Sequence, residues 1–175
     1  MMRMLAAAAL LVIATTAVAS PEAMTPQQAM EKMMNCPVCS AWHAEPALGP
    51  TMRYSISSTK TGYIETLSTA DESLKPAFDK CAAECEKRAA GISSMSADQK
   101  GELCAFCVEH MKLMDRKDLT FENVKTPLGI VTVATSSSPD GVKALHGYAA
   151  VAQKQADMMA EAHKGMPAGT MKSKM

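Results

Sequence analysis

The chain has few aromatic side chains: one Trp, three Tyr and three Phe in 175 residues. So few rings cannot build the stacking platforms that hold single-stranded nucleic acid. Charge of one sign is also missing, because 18 basic residues balance 18 acidic ones. A near-neutral chain carries no electrostatic footprint for nucleic acid or an anionic membrane surface. There is no glycine-rich phosphate loop, no Ser-His-Asp arrangement and no paired-carboxylate site; the carboxylates are scattered along polar helix faces. The two Cys-x-x-Cys pairs are followed by Ser40 and Val108, not by the His that covalent haem attachment needs. Beyond the first residues, no apolar run is long enough to span a bilayer.

Those first residues read as an export signal, residues 1–19. Arg3 forms a short basic region, Leu5 to Thr16 an apolar run, and Ala17-Val18-Ala19 a small-x-small cleavage site. The mature chain is then expected to begin near Ser20, in the periplasm or outside the cell. Loss of Arg3 leaves a net charge near −1. No Cys follows the cleavage site, so a lipid anchor of the bacterial lipoprotein type is not expected.

Sulfur is abundant instead, with six Cys and 16 Met. The stretch Leu103–Met114, LCAFCVEHMKLM, organises the rest. At about 100° per residue in a helix, Cys104, Cys107, His110, Met111 and Met114 fall within a sector roughly 120° wide. The earlier stretch MMNCPVCSAWH does nearly the same for Met33, Cys36, Cys39 and His43 if it is helical. A third pair, Cys81 and Cys85, lies at i and i+4 on a predicted helix.

In chain order, Thr25-Pro26 starts a helix, and Pro37 kinks or ends it. Alternation over Met52–Ser58 predicts a strand, with Tyr63–Ser68 as its return in a hairpin. A helix follows to Ala90, stopped by Gly91. The next helix starts near Ser96 or Asp98 and is expected to run unbroken to about Asp115. Leu119–Val124 and Ile130–Thr135 form a second hairpin, and a last helix runs from about Ser138 to His163.

A repeat links these elements. Offset by 67 residues, MRYSISSTKTGYIETLST lies on LTFENVKTPLGIVTVATS without a gap, matching Gly62 to Gly129. The same offset carries AFDKCAAECEKRA onto ALHGYAAVAQKQA. One further residue of offset places Cys36 and Cys39 on Cys104 and Cys107. The expected fold is therefore α+β: an internally duplicated α-β-β-α unit whose hairpins join as a four-stranded antiparallel sheet with helices on one face. The halves are 20–92 and 93–164, followed by a flexible Met/Lys tail at 165–175. A pseudo-twofold axis would bring the two CxxC segments together.

Thiolate and thioether ligands select Cu(I), whereas thiolate with imidazole also suits Zn(II). The sequence therefore points to an exported soft-metal binder, with Cu(I) first and Zn(II) second, serving sequestration, delivery or sensing. Cys36, Cys39, Cys104 and Cys107 are the candidate ligands. Met33, His43, His110, Met111 and Met114 are auxiliary candidates, and Cys81 with Cys85 forms a third thiol pair or a separate disulfide. The expected partners are the metal ion and a periplasmic metal-handling protein, with no catalytic role. Two other readings compete. Six Cys in an exported chain also fit three disulfides in a metal-free interaction domain. Cys36-Pro37-Val38-Cys39 also has the spacing of a thiol–disulfide oxidoreductase, although it follows a helix and not the strand that such a motif requires.

Overall fold

The computed structural model describes residues 24–164, so the expected signal segment and the 165–175 tail lie outside the described residues. Helix α1 spans Pro26–Asn35. It starts at a reciprocal cap: Gln28 N donates to Thr25 Oγ1 at 3.2 Å, and Thr25 N donates to Gln28 Oε1 at 2.8 Å. It ends because Pro37 bars the residue before it from helical geometry. Cys36 is accordingly extended, at φ −62° and ψ 127°. A 3-10 turn, Cys39–Ala44, follows, so the first sulfur-rich stretch is two short elements joined by a bend.

Strands β1 (Met52–Ser58) and β2 (Gly62–Thr69) form the first hairpin. Helix α2 runs over Lys75–Ala90, preceded by a 3-10 turn at Glu72–Leu74. Next come α3 (Ala97–Gly101) and α4 (Ala105–Met114). The unbroken helix expected from Ser96 or Asp98 to Asp115 is therefore corrected to two helices. Gly101 weakens the helix interior by about 1 kcal/mol relative to Ala. Leu103, only 4% exposed, turns inward instead of continuing the spiral. Cys104 is left extended, at φ −73° and ψ 163°, as the residue that begins α4.

Strands β3 (Leu119–Thr126) and β4 (Gly129–Ser136) form the second hairpin, and α5 covers Pro139–Lys164. The four strands make one antiparallel sheet in the order β1-β2-β4-β3. Gly62 and Gly129 make the central pairing possible. A Cβ on Gly62 would lie 1.9 Å from the Ala134 carbonyl oxygen, and one on Gly129 would lie 2.1 Å from that of Leu67.

Helices cover one face of this sheet. Directly opposed residues share a face, and Tyr63, Ala134 and Phe121 stand in one row. They pack with Ile56 against Leu145, Tyr148 and Ala149 of α5. Leu67 and Ile130 pack toward Phe78 and Cys81 of α2, together with the buried Leu48. Ile64 and Val124 on the opposite face remain exposed. Glu65 opposes Ile56 and Thr132 on the helix-covered face. Burial there raises its carboxyl above the usual range. Among the described residues, no helix is long and apolar enough to cross a membrane.

Candidate metal centre

The sulfur-rich segments meet beside the sheet, where α1, its 3-10 turn, α2 and α4 converge. The first Cys-x-x-Cys is a bend held at both ends. Cys36 N donates back to the Met33 carbonyl at 3.2 Å, and Ser40 N donates to the Cys36 carbonyl at 3.0 Å. Side chains of α2 clasp it from outside. Arg88 Nη1 donates to the Pro37 carbonyl at 3.3 Å and to Ser40 Oγ at 2.9 Å, while its Nε donates to Glu84 Oε1 at 2.8 Å. Cys85 Sγ donates to the Val38 carbonyl at 3.5 Å.

The second Cys-x-x-Cys is built into the start of α4. Val108 N donates to the Cys104 carbonyl at 3.0 Å, which closes the first turn of the helix. Cys107 sits within that turn. Both cysteines therefore lie in the first turn of the helix, at the positive end of its dipole.

The four sulfurs converge. Sγ of Cys36 is 3.6 Å from Sγ of Cys107, and Cys39 lies 3.6 Å from Cys104 and 3.3 Å from Cys107. All four ligand atoms lie within 4.8 Å of one another. Four sulfurs at about 2.3 Å from one tetrahedral ion would be about 3.8 Å apart, which is close to the observed separations. They are far from the roughly 2.05 Å of a disulfide, and all six cysteines are unbridged here. The group is deeply enclosed: Cys36, Cys39, Cys104 and Cys107 are 0%, 7%, 1% and 4% exposed, packed with Val38, Ile92 and Leu103. Four cysteines placed in this way can hold a metal ion.

Proximity also divides the thiols electrostatically. Cys36 is lowered well below the usual thiol range, first through Cys104 and then through Cys107. Cys104 is lowered too, chiefly through Cys107. Cys39 and Cys107 are raised, each chiefly through Cys104, and burial adds to both. Four adjacent thiolates would repel without a cation, so the thiols cannot all ionise together.

The other candidate residues lie at graded distances from this group. Met33 and Met111 pack against it, as does Met95. His110 is turned away from it, stacked on Phe106 with ring centroids 6.4 Å apart and 5.9 Å from Tyr148. Burial lowers its pKa, and its Nδ1 has no hydrogen-bond partner. His43 closes the 3-10 turn, and Met114 is 59% exposed at the end of α4. Cys81 is buried with Leu48 and Phe78 under the sheet, apart from the four-sulfur group. Burial pushes the Cys85 thiol up to about 12, so it remains a neutral donor.

The sequence reading did not anticipate Arg88 and Ser40. The one available signal was spacing, because Arg88 follows Cys85 by three residues and so shares its side of α2. Comparison with protein-family models, curated proteins and solved structures finds no match. Function is therefore read from the site's own chemistry.

Proposed function

We propose that the protein is an exported soft-metal binder that holds Cu(I) through Cys36, Cys39, Cys104 and Cys107, for sequestration, delivery or sensing. The observation that carries this reading is the convergence of four buried sulfurs within 4.8 Å from two segments far apart in sequence. Cu(I) is favoured over other ions by the ligand softness and by the thioethers of Met33, Met95 and Met111 packed against the cage. Met111, packed against the thiols, is the nearer auxiliary ligand, whereas His110 is stacked among Phe106, Phe121 and Tyr148 and is left out of the ligand set. Zn(II) is the second reading, because a closed all-cysteine cage is what a structural zinc site uses. Deep burial of Cys36 argues against thiol–disulfide exchange, which requires access for the attacking or attacked sulfur. A periplasmic metal-handling protein would supply or receive the ion.

Cysteine ligates as the thiolate, so metal entry releases thiol protons and affinity falls in acid. Anaerobic titration with Cu(I) and Zn(II) against chromophoric chelators tests the assignment. The expected result is one high-affinity site that prefers Cu(I), with a thiolate charge-transfer band and proton release. A protein that takes up neither ion while its four thiols are reduced contradicts it.

We also read the chain as a duplicated α-β-β-α unit. Two features support this. Met52 opposes Thr69 as Leu119 opposes Ser136, the same hairpin register under the 67-residue offset. Glu65 opposes Thr132, its own counterpart under that offset.

A further inference from the structure

A second set of sulfurs sits beside the cage. Met30 and Met159 are buried against each other with Ala162, and Met33 and Met34 pack on them. Met33 belongs to both groups, since it also packs against the thiols. The seam between α1 and the end of α5 draws its larger apolar groups from methionine alone. Residues 26–35 contain no Leu, Ile, Val or Phe, and residues 153–162 contain none either. Elsewhere the core uses Leu48, Phe78, Ile92 and Leu145 in the ordinary way. Where volume alone matters, branched and aromatic side chains are the better-defined fillers, and methionine adds mobility at a cost in order. What methionine supplies that leucine does not is a thioether, which ligates soft cations without first losing a proton.

We propose that Met30, Met33, Met34 and Met159 form a second, thioether site for a soft monovalent cation of the Cu(I) class. Met33 and Met34 are half-buried, so the cluster reaches the surface, whereas the thiols do not. Binding at this cluster stands by itself. Its role as the entry point to the cage rests on the reading of the cage given above. Passage inward is ligand exchange: metal–thioether bonds break, metal–thiolate bonds form, the displaced thiol protons go to solvent, and the ion's oxidation state is unchanged.

The test is a titration of the full mature chain with Ag(I), a redox-inert stand-in for Cu(I). Methionine methyl groups are followed by 13C NMR, and the cage is followed by its thiolate charge-transfer band. The expected result is that the methyl signals of Met30, Met34 and Met159 shift together with Met33, while Met52 and Met114 stay fixed. The triple variant Met30→Leu, Met34→Leu, Met159→Leu keeps core volume. It should stay folded, lose one equivalent of bound Ag(I), and retain the charge-transfer band. Shifts confined to Met33, Met95 and Met111 would mean that silver occupies only the cage, and would overturn the proposal. So would an unchanged stoichiometry in the triple variant. Should that variant unfold, the wild-type methyl shifts decide alone. Loss of the charge-transfer band with the methyl shifts intact would sink the cage reading and leave the thioether site standing.

Discussion

The two Cys-x-x-Cys segments reach the same point by different means. The second is self-supporting, because Cys104 starts α4 and the helix's own hydrogen bonds fix Cys107 one turn on. The first is a bend at the end of α1, forced by Pro37 and held from outside by Arg88 and Cys85 of α2. Equal spacing in sequence therefore does not mean equal backbone. One segment carries its candidate ligands on secondary structure, and the other is held by side chains of α2.

The largest effect should come from the cage itself. Cys107→Ser removes a ligand held by the rigid half. Metal affinity should fall on the order of 100-fold or more, beyond what loss of an outer partner does. Cys81→Ser, which alters a thiol packed under the sheet, should leave stoichiometry intact. Elemental analysis with chelator competition separates the two, and equal losses would place Cys81 in the site.

Next is the clasp. Arg88→Met keeps the stem but removes the donors to Pro37 and Ser40. Affinity should drop about 10- to 100-fold, and Arg88→Lys should not restore it, because one ammonium cannot reproduce the planar fork. An unchanged affinity in a folded Arg88→Met protein would mean that both halves are self-supporting. Cys85→Ala removes a weak thiol donor from the same bend. It should cost about 1 kcal/mol of stability in denaturant unfolding, with metal content unchanged.

The smallest effect lies away from both halves. Burial raises the Glu65 carboxyl, so the folded state holds its proton longer than the unfolded chain does. That contribution is complete below the ordinary glutamate pKa of about 4.3, and it is lost as pH rises through the higher folded value. Glu65→Gln should therefore raise the thermal midpoint at pH 7, have no such effect near pH 3.5, and leave metal binding alone. A gain of the same size at both pH values would remove titration as its cause.

Much of this architecture is legible in the residues. Alternation over Met52–Ser58, the turn residues before Gly62 and the β-branched run at Ile130–Thr135 mark the hairpins, and Thr25-Pro26 marks the start of α1. Local chemistry alone suffices for these features. The convergence of the two thiol pairs follows from no local signal, since nothing local links Cys36 to Cys107; only the expectation of a duplicated unit brings them together. Other features resist any periodic reading. The break at Glu102–Cys104 depends on the burial of Leu103, which is a tertiary fact. Cys81 and Cys85 share a face of α2 by spacing, but what that face packs against is decided by the sheet and by the Val38 carbonyl. Arg88 looks like an ordinary helix-end cation until the bend it holds is seen.

The most direct measurement of the central claim is X-ray absorption at the metal edge, on protein purified anaerobically from its own compartment. The account predicts a soft ion whose nearest shell is sulfur, lost together with its signal in Cys107→Ser. A protein free of metal with Cys36, Cys39, Cys104 and Cys107 in disulfides, or a metal ringed by oxygen and nitrogen alone, would contradict it.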